Sequence, residues 1–174
     1  MQTIPFDPDD EPPSTGNSPD RLHFLKVLEK KVLWLSTWMI HHANHIREGD
    51  GELKVGGHQA SCASMVTIMT ALYFAVLKPE DRVAVKPHGS PVFHAIQYLF
   101  GKQDKDHLAR FRALGGAQSY PSRTKDSDDV DFSTGSVGLG VAMTSFAALI
   151  QDYLEAHSWR SSRSRMVCVL GDAE

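Results

Sequence analysis

Cysteine is scarce in this chain: only Cys62 and Cys168 occur, each inside an apolar run. That excludes a disulfide framework and reads as two buried small hydrophobes in a reducing compartment. An excess of one charge is also lacking, since 18 Lys and Arg stand against 21 Asp and Glu, a formal net charge of -3. No basic block of the kind that neutralises phosphates is present, so nucleic acid is not expected as a partner. The amino terminus lacks a positive segment followed by an apolar stretch, and no uninterrupted apolar run approaches the ~20 residues a bilayer requires. A cytoplasmic protein without membrane contact is the expectation. What is present, 41% hydrophobic and 22% charged residues over 174 positions, suffices for one globular domain of ordinary size.

Residues 1–20 are crowded with Pro5, Pro8, Pro12, Pro13 and Pro19 among Asp7, Asp9, Asp10 and Glu11. They carry too little apolar surface to offset the entropy of ordering and read as a disordered tail, with residues 21–174 as the folded part. Leu22, Leu25, Leu28, Val32, Leu35 and Met39 recur at three- and four-residue spacing, which predicts a helix that stops near Gly49. Residues 61–77 are nearly all apolar and predict a buried helix. Arg82, Val83, Ala84 and Val85 read as a strand, residues 91–100 as a helix, and 104–114 as another with Asp104 as its N-cap. Residues 115–136 are rich in Gly, Ser, Pro and Asp without a period and form a long loop. Residues 139–156 are helical by period, and 166–170 form a second strand. Strands alternating with helices predict an α/β fold, a mostly parallel sheet with helices on both faces.

In open α/β sheets, ligands gather where strands end and helices begin. Three segments have that placement: the turn Gly56-Gly57-His58-Gln59-Ala60-Ser61, the turn Lys86-Pro87-His88-Gly89-Ser90-Pro91, and the terminal Gly171-Asp172-Ala173-Glu174. A fourth is Gly135-Ser136-Val137-Gly138-Leu139-Gly140, where closely spaced glycines before a helix let backbone approach a flat or phosphorylated ligand. It is not a dinucleotide fingerprint, because no strand clearly precedes it. His41 and His45, one helical turn apart beside His42, have metal-clamp spacing but no third ligand nearby in sequence, so a solvated helix end is the simpler reading. Trp34 and Trp38 read as core or subunit-contact residues.

The order of the four segments resembles the transketolase family of thiamine-diphosphate enzymes, and within it the homodimeric first component of bacterial pyruvate dehydrogenase. The resemblance runs from about Val32 to Glu174 and implies a partial thiamine-diphosphate-binding domain. It places His58 and Ser61 beside the cofactor's reacting carbon and phosphates, and His88 near the diphosphate and the substrate. It brings Gly138, Leu139 and Gly140 to the cofactor ring through their backbone. Gly171, Asp172, Ala173 and Glu174 then form the diphosphate motif, with Asp172 as the ligand of Mg2+. Magnesium takes a carboxylate together with phosphate oxygens, which suits that assignment. Imidazoles can donate hydrogen bonds and move protons near neutral pH, which suits His58 and His88 as catalytic residues.

Transketolases proper carry His-Pro-Glu in the long loop, whereas this chain reads Ser119-Tyr120-Pro121-Ser122, as the pyruvate enzymes read Ser-Tyr-Pro. The resemblance therefore implies Tyr120 as a further catalytic residue and a small 2-oxo acid as substrate. The acyl unit would pass to a lipoyl-carrying acyltransferase component, and the enzyme would be a homodimer. Lys86 departs from the neutral amide usual in those enzymes, and Ala173 from the middle glycine of Gly-Asp-Gly. In the family the domain continues well beyond this point and a separate pyrimidine-binding domain follows. The chain is thus expected to be a fragment, inactive alone and with an uncovered sheet edge. Transketolase-type ketol transfer, or a non-catalytic relative serving as a scaffold or dimerisation module, are the other readings.

Overall fold

The computed structural model describes residues 19–47, 55–135, 137–159 and 164–171. Helix α1 (Pro19–His41) begins inside the expected tail, since proline is tolerated in a helix's first turn. Val32, Ser36, Met39 and Ile40 form its buried stripe, while Leu22 at the outer end stays exposed. Regular α geometry ends at His41. The chain continues in a wider π turn (His42–Ile46), closed by Arg47 N–H donating to the His42 carbonyl at 2.9 Å. The expected stop at Gly49 lies outside the described residues.

The apolar stretch expected as one buried helix is two short helices, α2 (Gln59–Ala63) and α3 (Val66–Ala71), followed by a π turn (Leu72–Val76). Ser64 causes the break: its hydroxyl donates to the Ser61 carbonyl at 3.0 Å and competes with the helical ladder. Burial is also one-sided. Cys62, Val66 and Met69 face the core, whereas Ile68 and Val76 are exposed. By length and mean hydropathy (1.4 over 18 residues), Gln59–Val76 is apolar enough to cross a membrane, with 28% of it buried. Its break at Ser64 and its packing on α1 and on α4 (Ser90–Leu99) fit a helix pair lying on a soluble core equally well.

Strands β1 (Arg82–Ala84) and β2 (Met166–Cys168) pair in parallel, with Arg82 opposite Met166 and Ala84 opposite Cys168. Alternation along the pair sends Val83, Val85, Val167 and Val169 into the core formed with α1, α3 and α4. Ala84 and Cys168 face the other way, under α6 (Leu139–Ala156), so helices cover both faces as expected. Among the described residues the sheet has only these two strands. The outer edge of β1 is closed by side chains of the long loop. There Asp131 Oδ2 accepts from Val83 N–H at 2.8 Å, and Thr134 Oγ1 donates to the Val85 carbonyl at 2.8 Å. The outer face of α6 leaves Phe146, Leu149, Ile150 and Tyr153 exposed.

Helix α5 (Lys105–Ala109) is shorter than its periodicity suggests. Asp104 caps it as expected, accepting from His107 N–H at 2.7 Å. Beyond Ala109, Arg112 adopts φ +62°, and its N–H turns to the Ala117 carbonyl at 2.9 Å, which folds the chain back and leaves Leu114 wholly exposed. Met39, Leu108, Phe111 and Ala117 make a second small core, with Trp38 against it. At the amino ends of the strands, Asp81 accepts from the amides of Lys78 (2.8 Å) and Arg165 (2.9 Å) and from Arg165 Nε (3.0 Å). The Arg165 guanidinium holds the Asp81 carboxyl well below the usual carboxylate range.

Candidate functional site

The carboxyl ends of β1 and β2 lie side by side, because parallel register places Val169 N–H on the Ala84 carbonyl at 2.9 Å. From β1 the chain enters a 3₁₀ turn (Pro87–Gly89) that carries His88, exposed, into α4. From β2 it reaches Gly171. The Lys86 side chain bridges the two ends: a Cβ placed on Gly171 would overlap Lys86 Nζ and stand 3.1 Å from its Cε. The amino end of α6 closes onto the same place. Gly140 there has no room for more than a methyl group, since a Cβ would touch Ala84 Cβ and Cys168 Sγ at 3.4 Å each. Gly138 precedes α6 in a left-handed conformation, with Leu139 at the first helical position.

The histidine turn joins through α2. The Cys62 thiol donates to the His88 carbonyl at 3.1 Å, which fixes the start of α2 against the 3₁₀ turn. Burial pushes that thiol's pKa up to about 12, with the Arg112 charge opposing, so Cys62 stays a donor rather than a nucleophile. His58 is exposed immediately before α2, and Ser61 is half-buried within it. Gly57, at φ +87°, makes the turn that an ordinary residue resists, and the Arg112 guanidinium lies 3.5 Å from its Cβ position. Four segments far apart in sequence thus meet at one end of the sheet.

Tyr120 stands apart from this assembly. It is exposed, and no hydrogen bond joins it to the strand-end turns, although the neighbouring Pro121 is fully buried. Asp172, Ala173, Glu174 and Ser136 lie outside the described residues, so the expected magnesium ligand has no placement here. The His41 and His45 rings lie 5.0 Å apart between centroids, tilted by 38°, and among the described residues no group of three His, Cys, Asp or Glu could hold a metal. Trp38 packs partly on the second core and Trp34 lies outside it, exposed, the two rings stacked at 6.3 Å.

The sequence reading missed a buried polar network beside the site. His94, one turn into α4, is fully buried, with Nδ1 2.5 Å from Asp128 Oδ2 and Nε2 2.7 Å from the Gln118 carbonyl. Gln103 donates to the other Asp128 oxygen, and Ser127 Oγ donates to Gln103 Oε1 at 3.1 Å. Asp126 then accepts from Gln118 N–H (2.9 Å) and Ser122 N–H (2.8 Å), tying both ends of the segment that presents Tyr120. A histidine and a glutamine within the otherwise apolar run Pro91 to Phe100 were the available signal. A concavity of about 890 Å³ lies elsewhere, at the amino ends of the strands between Tyr73, Phe100, Asp131, Ile150, Leu154 and Met166. That is the wrong end for chemistry in a parallel sheet, where side chains and helix amino ends converge at the carboxyl side.

No family model matches the chain. It is 30% identical over 155 residues to the pyruvate dehydrogenase E1 component of Mycolicibacterium smegmatis, which covers 82% of this chain and 16% of that protein. The chain is a relative of the pyruvate dehydrogenase E1 components. The Escherichia coli K12 E1 component is 27% identical over 184 residues, covering 100% of this chain and 20% of that protein. The 1-deoxy-D-xylulose-5-phosphate synthase 1 of Geobacter sulfurreducens is 31% identical over 125 residues, covering 68% of this chain and 17% of that protein. The chain therefore spans only 16–20% of the length of these relatives.

Proposed function

We propose that this chain forms part of the diphosphate-binding domain of a longer homodimeric enzyme that uses thiamine diphosphate and Mg2+ to decarboxylate a small 2-oxo acid. Pyruvate is the first choice of substrate, and the acyl unit passes to a lipoyl-carrying acyltransferase partner. The observation that carries the reading is the meeting of the His58, His88, Gly138 to Gly140 and Gly171 segments at the carboxyl ends of β1 and β2. The similarity to pyruvate dehydrogenase E1 components supports the choice of substrate, as does Ser119-Tyr120-Pro121 in the long loop.

The residues at this place fit such a cofactor. Ser90, directly after His88 and Gly89, is fully buried with a hydroxyl that has no hydrogen-bond partner among the described residues, an acceptor or donor awaiting one. Gly140 lets the α6 backbone come close, and Asp172, one residue beyond Gly171, is assigned the magnesium position. Bound thiamine diphosphate would supply the electron sink for loss of carbon dioxide, leaving orientation and proton movement to the protein. His58 and His88 present exposed imidazoles that can hold or deliver a proton. The similarity to the Geobacter synthase favours a second reading, carbon–carbon bond formation onto a phosphorylated sugar.

Titration calorimetry on the full-length protein tests the cofactor assignment: that protein is expected to bind thiamine diphosphate in a magnesium-dependent manner that Asp172→Ala abolishes. Absence of binding by the parent protein refutes the reading, and tight binding by the variant moves the metal elsewhere. In the complete enzyme, a panel of pyruvate, branched 2-oxo acids and phosphorylated sugars separates the two reactions.

A further inference from the structure

Among the described residues, Lys86 is the lysine or arginine whose side chain lies at the carboxyl ends of both strands. It follows β1 with extended backbone (φ -57°, ψ 130°), and its half-buried side chain runs across Gly171. Only glycine permits this, because any side chain at position 171 would occupy the space of the ammonium group. Among the described residues, neither a hydrogen bond nor an ion pair reaches Lys86 Nζ. A partly desolvated ammonium is stabilised by an anion placed beside it. The surroundings favour the same sign of ligand, since α4 starts four residues later and its amide dipoles point back toward the turn. The orphan hydroxyl of Ser90 adds a donor at the first position of that helix.

We propose that the Lys86 ammonium binds phosphate oxygens of the cofactor's diphosphate, an inference that rests on the functional reading above. A diphosphate monoester at neutral pH carries more negative charge than one divalent cation cancels. Lys86 supplies the balance beside Gly171 and makes cofactor binding less dependent on magnesium. A second carboxylate on the substrate would match the charge equally, but the ammonium lies beside Gly171, in the motif to which the diphosphate is assigned.

Calorimetry with inorganic pyrophosphate and with thiamine diphosphate, each with magnesium and with a chelator, tests this on the parent protein, Lys86→Gln and Lys86→Arg. Circular dichroism checks that all three are folded. Lys86→Gln is expected to weaken pyrophosphate binding without magnesium by about tenfold, the size of one charge-assisted hydrogen bond, while Lys86→Arg stays within about threefold of the parent. The salt dependence of binding should also flatten in Lys86→Gln. Unchanged binding of both ligands by Lys86→Gln overturns the proposal and leaves the cofactor assignment standing. So does an equal loss in both variants, which would mean shape rather than charge. If Lys86→Gln instead weakens only a dicarboxylic 2-oxo acid, Lys86 belongs to the substrate and the proposal is again overturned. A parent protein that binds neither ligand sinks the functional reading and this inference together.

Discussion

Replacing Asp128 by alanine and by asparagine should give opposite results, because the network fixes which atoms donate. Both side chains of the His94–Asp128 pair are fully buried, and the Gln118 carbonyl, which can only accept, requires a hydrogen on His94 Nε2. Asp128→Ala leaves His94 Nδ1 and the Gln103 amide without partners in a dry interior. Leaving two buried polar groups unpaired costs about 1–3 kcal/mol each, about 3 kcal/mol together. At about 2–4 °C per kcal/mol for a chain of this size, that lowers the melting temperature by about 6–12 °C. Asp128→Asn behaves differently. Its oxygen can accept from Gln103 and its amide can donate to Nδ1, with the ring settled in the Nε2–H tautomer, so every buried group stays satisfied. The expected cost is about 1 kcal/mol or less. Thermal and urea unfolding followed by circular dichroism measures both. If asparagine proved as damaging as alanine, or alanine harmless, the hydrogen-bond assignment around His94 would be wrong.

The Asp81 clamp predicts a specific acid response. The Arg165 guanidinium holds the folded-state pKa of Asp81 below its unfolded value of about 4. The stability this provides is therefore complete above that value and is lost as pH falls toward the depressed folded one. Asp81→Asn should flatten the fall in urea midpoint between neutral pH and pH 3, and an equally steep fall in both proteins would refute the linkage. Gly140→Val would push methyl groups into a gap where a lone Cβ already meets Ala84 and Cys168 at 3.4 Å. Overpacking of this kind costs about 1–3 kcal/mol, and an unchanged urea midpoint would show that α6 can slide away from the sheet.

Much of this chain could be read along its length. Helix α6 has the bounds its period predicts, the strands fall where β-rich runs meet glycine or proline, and Asp104 caps α5 as its residue type suggests. These are short-range properties, set by periodicity, capping and backbone restriction within a few residues. The order of the four glycine-containing segments was legible for the same reason, since each is a compact run.

The failures share the opposite character. The break at Ser64 and the early end of α5 at Ala109 occur where a local hydrogen bond or a turned backbone defeats an intact periodicity. The burial of His94 depends on Asp128, 34 residues away, and the joining of the strands' amino ends depends on Asp81 and Arg165, 84 residues apart. The sequence alone located the runs of Gly, His and Pro at the ends of the elements and predicted that the strands would be parallel. Only the tertiary structure decided that Lys86 lies across Gly171, that Cys62 holds the two histidine segments together, and that the Gln118 end of the segment carrying Tyr120 is tied to α4. Those outcomes depend on which distant side chains fill one another's space and satisfy one another's polar atoms, and a linear pattern does not encode that directly.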